Sequence, residues 1–480
     1  MTAGRSPCRR NKSKEPATAR TYCHRVYPFE CRRNVGNQPP LEIPIIPRRL
    51  LTILVCLLWL ALTSCGTGKG VGATPNLTRV RVVNLVPNAA AVSVQLDDDP
   101  PLVSALAFEQ LTQYITVDSG VREFKVSADG GQTTIVDVTR TLSPSVDYTF
   151  IVAGPVESAG SEFVVDTTLL IPDGGTSDFR VINGATGIVS VDVYLTPPGT
   201  DLTATAPVVS GVTLGTTSLY VPIRTADNEL RVTLAGTKEV IYDAHVGAFT
   251  DKTIIEAVVF GKGSSKLVNV ALLNIDTDGT GQVIDNTLAQ FKVANGSSIG
   301  SPLNVLVDGT LILTNVPFGG VSDYQKVSVG SRTITVQSAS TPGADLLTIV
   351  TNLASATDTS IAVSGPAGAL RSLVLSDNNL PSAAGRARVR FVNASPDFAA
   401  LDVYVNFSKT FSGVATNSAS GYTELTADPT GTPYEFDFNL AGTVTPVVML
   451  PGVTLTSGRT YTVYIVGSAT APQGVVSTDN

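Results

Sequence analysis

Arg388-Val389-Arg390-Phe391-Val392-Asn393-Ala394-Ser395-Pro396-Asp397, followed by Leu401-Asp402-Val403-Tyr404-Val405-Asn406, alternates apolar and polar side chains on both sides of a turn. Val389 and Phe391 bracket Arg390, and Leu401, Val403 and Val405 bracket Asp402 and Tyr404, the period-2 pattern of half-buried strands. Ser395-Pro396-Asp397 supplies the turn between them. The pattern predicts that Leu401, Val403 and Val405 face a core, while Arg390, Asp402 and Tyr404 face outward into solvent.

The same arrangement occurs four times, anchored on Asn84, Asn183, Asn295 and Asn393, which lie 99, 112 and 98 residues apart. Before each anchor, two apolar residues enclose one basic residue, Arg81, Arg180, Lys292 or Arg390. After each, a second alternating strand starts at the same offset: Val92-Val94-Leu96, Val191-Val193-Leu195, Leu303-Val305-Val307 and Leu401-Val403-Val405. Each copy closes with a further strand ending at glycine, Gly154, Gly261, Gly365 or Gly467. Repeats of about 100 residues, built of short strands and frequent turns, are too long for propeller blades or solenoid rungs. They predict an all-β chain of four tandem immunoglobulin-like β-sandwich modules at 77–175, 176–284, 285–382 and 383–480. Linkers near 172–177, 276–281 and 377–382 would make neighbouring modules touch or nearly touch, as a short chain of beads.

The fourth copy resembles the opening of the bacterial family called domain of unknown function 4397, although that family often has histidine where Asn393 stands. The resemblance is most specific over 386–470, less so over 78–156 and 178–262, and weakest over 290–366, where a Gly/Ser loop replaces Ser-Pro-Asp. It implies a secreted, Ig-like module and no established activity.

Arg48-Arg49 precede a 13-residue apolar run, Leu50 to Leu62, too short to span a bilayer comfortably. Leu62-Thr63-Ser64-Cys65-Gly66 resembles a lipobox, which implies a signal peptide over 48–64, cleavage before Cys65, acylation of Cys65 and a tether over 65–76. Several acyl chains on one cysteine bury enough methylenes for stable anchoring in a lipid bilayer. Gly66 after the cysteine resembles lipoproteins sorted to the outer membrane of cells with two membranes; the alternative is an uncleaved signal anchor. Residues 1–47 are basic, lack periodic apolar patterning and read as an over-extended or disordered N-terminus, or as a cytoplasmic tail.

Of 33 basic and 40 acidic residues, eleven and three lie in 1–49, so the remainder is net −15 and unsuited to nucleic acid. All five cysteines lie at or before Cys65, which leaves the modules without disulfides or thiolate metal sites. His245 is the only histidine after Cys65, so Gly296-Ser297-Ser298-Ile299-Gly300, although it matches a nucleophile-elbow pattern, lacks the expected strand-to-helix setting and an evident base. No catalytic residue is assigned. Asp276 and Asp278 begin a stretch resembling a calcium loop, but Thr287 stands where a bidentate glutamate belongs, so a plain linker is the leading reading and no cofactor is expected. Asp97-Asp98-Asp99 reads as a solvated turn, and the anchor asparagines as side chains bonding their own turns.

These features lead to a non-catalytic envelope lipoprotein serving as a structural or adhesive module array. A binding protein that captures an envelope glycan or polypeptide in its sandwich-end loops is the alternative. A carboxylate-dependent hydrolase is third, since it needs two facing carboxylates.

Overall fold

The computed structural model describes residues 76–480 except 132, 167–170, 263–265 and 428–429. Cys65, the apolar run before it and residues 1–47 lie outside the described residues. Every module is a sandwich of two sheets, and the described residues contain no α-helix.

In the fourth module the opening strand Arg386–Asn393 lies at the centre of the first sheet. It runs parallel to the closing strand Thr460–Val466 and antiparallel to Thr423–Thr426 and Ser418–Ala419. The last strand, Gln473–Thr478, pairs antiparallel with the closing strand. Two parallel neighbours require a crossover, and the intervening chain uses it to build the second sheet, ordered Ser408–Ala415, Ala400–Val405, Tyr434–Leu440 and Pro446–Val453. The parallel pairing recurs between Leu77–Leu85 and Asp147–Ala153, between Thr176–Asn183 and Ile254–Gly261, and between Leu288–Ser297 and Asp358–Gly365.

The second strand keeps its expected register. Leu401, Val403 and Val405 are buried in one cluster with Phe391, Phe436, Phe438 and Val463. Asp402 occupies the opposite face but is not solvated: it is 3% exposed and accepts hydrogen bonds from Lys409 Nζ (2.6 Å), Gly413 N (2.9 Å) and Gly442 N (3.1 Å). The reason is a bulge present in all four modules. Ser93, Asp192, Asn304 and Asp402 each accept the amide of a residue on the neighbouring edge strand, Ala105, Gly211, Asn315 or Gly413, where the backbone has φ between 51° and 68°. The strand register shifts at the same place in every copy.

Neighbouring modules touch, and within each pair they do so by whole sheet faces. The outer face of each opening sheet, expected to meet water, packs against the opening sheet of another module, first with second and third with fourth. Val83, Leu85, Ile151, Ala153 and Val164 share a cluster with Ile182, Val258, Phe260, Ala271 and Leu273. Ala294 and Ala362 cluster with Val392, Ala394, Tyr464 and Val466. The stretch 276–281 is not a linker: Gly281–Ile284 adds a strand to the second module's first sheet, leaving only 285–287 before the third module. That short connection is clamped, because Asn286 Nδ2 donates to Ile241 O and Val268 O (both 2.9 Å) and Thr287 N to Asp243 O (2.8 Å).

Val403→Ala is expected to cost about 1–3 kcal/mol, from lost burial and a partly unfilled cavity. Asp402→Ala should cost more than the roughly 0.5 kcal/mol usual at surface positions, because it leaves the bulge amides unpaired. Urea melts of the full chain check both; an unaffected Asp402→Ala variant would contradict the bulge assignment.

Candidate functional site

The repeated basic residue of each opening strand lies at the centre of a module–module face. Arg81 is fully buried and Lys292 and Arg390 are 2% and 3% exposed, whereas the alternation alone places all of them in water. The correction has a physical cause: a face polar by pattern is buried once a second module covers it, and a buried cation must find an anion and acceptors.

Between the first and second modules, Arg81 donates through Nε and Nη2 to Thr149 Oγ1 (3.0 and 2.7 Å) and through Nη1 to Asn274 O (2.9 Å) and Thr280 O (3.2 Å). Its guanidinium lies 3.6 Å from Asp166 and 4.0 Å from Glu256. Arg180, from the second module, donates through Nε to Glu256 (2.7 Å) and through Nη2 to Val165 O of the first module (2.9 Å). Tyr114 and Tyr220 hydroxyls donate to Asp166 (2.5 Å) and Glu256 (2.9 Å). Asp166 Oδ1 and Glu256 Oε2 receive no hydrogen bond. Burial, reinforced by the Asp166 charge, pushes the Glu256 carboxyl up to about 7 against the pull of Arg180 and Arg81. Burial also raises Asp166, which Arg81 draws back.

Between the third and fourth modules the same positions carry Lys292, in contact with Asp479, and Arg390, in contact with Asp377. Arg390 Nε donates to Thr462 Oγ1 (2.9 Å) and its Nη1 to Ser376 O (3.1 Å) of the partner module. Tyr324 lies over Lys292 (4.9 Å) and Tyr422 over Arg390 (5.0 Å), as Tyr220 lies over Arg180 (4.4 Å) and Tyr114 over Arg81 (5.1 Å). This tyrosine went unread in the sequence, yet it follows each anchor asparagine by 30, 37, 29 and 29 residues. So did the acids near the ends of the last strands, Asp166, Asp377 and Asp479.

The anchor asparagines are buried and join the two sheets of their own modules. Their Oδ1 atoms accept the amide two residues on in the first three modules: Val86 (3.0 Å), Ala185 (3.1 Å) and Ser297 (2.9 Å). Their Nδ2 atoms reach across to carbonyls of the opposite sheet, Leu106, Val212, Val316 and Val414. Ser297 of the elbow-like stretch donates to Asn295 Oδ1 (2.6 Å), while His245 pairs with Asp227 (2.7 Å) in a different module. Asp97 accepts from Glu123 N (2.8 Å) and Arg122 (3.0 Å), a turn role repeated by Asp308 with Thr333 N (2.9 Å) and Arg332 (2.9 Å).

Asp276 turns its carboxylate onto its own loop, accepting from the amides of Asp278 (3.1 Å), Gly279 (2.6 Å) and Thr280 (3.1 Å) and from Thr280 Oγ1 (2.5 Å). Asp278 offers its carbonyl to Tyr114 N (3.1 Å), and Gly279, at φ 70°, lies flat on the Tyr114 ring, where a Cβ would come within 2.6 Å. The loop latches the second module to the first. Among the described residues no three His, Cys, Asp or Glu side chains are grouped as a metal site.

Among the described residues several carboxylates lie close together: Glu109 and Asp285, for instance, both pair with Lys262 Nζ (3.1 and 2.8 Å). Asp166 and Glu256 are enclosed between modules. Glu229 and Asp243 share a hydrogen bond on the second sheet of the second module, and burial together with Glu229 raises Asp243 to about 6. A shared hydrogen bond is closer than the roughly 5 Å that the nearer arrangement of glycosidase carboxylates needs.

The model of the family described as "Domain of unknown function (DUF4397)" matches residues 78–194, 289–404 and 389–480. The chain belongs to this family. The DUF4397 match spans the third module, where the resemblance was expected to be weakest, and omits 195–288 instead. That stretch holds the long loop 197–208 and the extra strand Gly281–Ile284 of the second module. No curated protein matches the chain. One solved structure, "The Bacillus anthracis TIE protein", is 9% identical over 88% of this chain and 79% of that chain, with a TM-score of 0.13.

Because Glu256 is raised from an ordinary value near 4.5 to about 7, the folded state holds its proton at pH values where the unfolded chain has released it. Its stabilising contribution is complete below about 4.5 and falls as pH rises through about 7. Glu256→Gln, which cannot titrate, should therefore show a flatter stability–pH curve than wild type between about pH 4.5 and 8. Parallel stability–pH curves for the two proteins would contradict the raised carboxyl.

Proposed function

We propose that this chain is a non-catalytic envelope lipoprotein, held in a bilayer through acylated Cys65, that acts as a structural or adhesive array. The observation that carries the reading is the fate of the opening-sheet faces. Four modules are combined into two face-to-face pairs whose polar side chains are spent on one another, a construction suited to stiffness rather than to turnover. The short 285–287 connection and its clamp on the second module favour the same reading by limiting the freedom between pairs. In a cell with two membranes, the lipobox context of Gly66 favours the outer membrane.

A second reading, capture of a glycan or polypeptide, is favoured by one feature. A surface cavity of about 460 Å³ at the sandwich end of the third module is lined by Ser297, Ser298, Pro302, Pro317 and Phe318, and Phe318 is 44% exposed. Aromatic and proline faces beside hydroxyls suit such ligands. A glycan array probed with the full chain distinguishes the readings; saturable binding lost in Phe318→Ala supports capture.

Cys65→Ala should stall processing or release the chain from membranes, and mass spectrometry of the membrane-extracted wild type should find lipid on an N-terminal Cys65. Retention of a mature-sized Cys65→Ala chain would overturn the anchoring. Protease applied to intact cells should remove the modules if they act at the surface.

A further inference from the structure

Three of the four equivalent opening-strand positions hold arginine; the third module alone holds lysine, at Lys292. An arginine guanidinium stays protonated and does not act as a nucleophile, whereas a lysine amine, once deprotonated, does. Lys292 Nζ lies against Asp479 Oδ1 of the fourth module, and the two side chains are 2% and 0% exposed. We propose that Lys292 and Asp479 condense to an intramolecular amide that joins the third module covalently to the fourth.

The surrounding groups supply what such a condensation needs. Ser477 Oγ lies 3.1 Å from Lys292 Nζ and 3.3 Å from Asp479 Oδ1, so it bridges the attacking nitrogen and the departing oxygen and can relay a proton between them. Thr462 Oγ1 donates to the other carboxyl oxygen, Oδ2, at 2.5 Å, where negative charge collects in the tetrahedral intermediate. The Tyr324 ring, 4.9 Å from Nζ, closes the site on the amine side. Folding has already brought the reactants into contact, which removes the entropic part of the barrier. Burial raises the Asp479 carboxyl, favouring the neutral acid over the unreactive carboxylate.

The step is balanced within the pair. Proton transfer from the ammonium to the carboxylate gives amine and acid; the nitrogen then attacks Cγ. The N–Cγ bond forms, the Cγ–Oδ1 bond breaks, and two nitrogen-borne protons, counting the one first transferred, leave on that oxygen as water with one amide proton retained. No oxidant, reductant or activated co-reactant is involved. One positive and one negative charge disappear together, so the neighbouring Arg390–Asp377 pair stays balanced.

The test is mass spectrometry of the purified full chain under denaturing conditions, followed by peptide mapping. The expected result is a wild-type chain one water lighter than its sequence, with a branched peptide joining the segment of Lys292 to that of Asp479. Lys292→Arg, which restores the residue of the other three modules, should show the full sequence mass. Peptide mapping makes the outcome independent of processing at Cys65. Recovery of Lys292 and Asp479 in separate, unmodified peptides from folded wild-type protein would overturn the proposal. Should Lys292→Arg fail to fold, Asp479→Ala serves as the uncondensed reference, and the wild-type map decides alone.

Discussion

The organisation of this chain depends on a cation placed at the middle of each opening sheet's outer face. Removing a partner from a buried ion pair costs about 3–5 kcal/mol, because the remaining charge is stranded without water. Arg81, Arg180, Lys292 and Arg390 are therefore committed to a second module that brings acids and carbonyls to them. The apolar residues around them, among them Leu85, Phe260, Val392 and Tyr464, supply the attraction, and the ionic groups set which faces meet and in which register. The two pairs solve the same problem differently: the first uses two arginines with Asp166 and Glu256, the second a lysine and an arginine with Asp479 and Asp377.

The module itself was legible in the sequence because its signals are local. Alternation at Val389, Phe391, Leu401, Val403 and Val405 is a property of neighbouring residues, and fourfold recurrence removed the ambiguity of any one copy. What the pattern cannot encode is what covers a polar face. A strand reading Val-Arg-Phe looks the same whether its arginine meets water or another module, so the basic residues and Asp402 were placed in solvent. The partners that bury Arg390 are a tyrosine just before an edge strand and an acid beyond the end of a last strand, neither of which lies at a fixed short spacing from it. The loop 276–281 misled for the converse reason: its Asp-x-Asp-Gly run is ordinary turn chemistry as well as the start of a cation loop, and its true use, resting on Tyr114, involves a residue far away in sequence.

Pairing also explains why the conspicuous sequence candidates do not converge on chemistry. The anchor asparagines are occupied in tying sheet to sheet, and Asp166, Glu256, Asp377 and Asp479 are turned onto buried cations between the modules. The surface left to meet other molecules consists mainly of second sheets and sandwich-end loops. A covalent tie at Lys292 would extend the pairing of faces in the second pair.

The central claim is that the modules meet face to face through their opening sheets, and inter-methyl nuclear Overhauser contacts in the selectively methyl-labelled full chain test it most directly. The account predicts cross-peaks linking Val83, Leu85 and Ile151 of the first module with Ile182, Val258 and Leu273 of the second. Cross-peaks confined within each module, with none between these two sets, would contradict it.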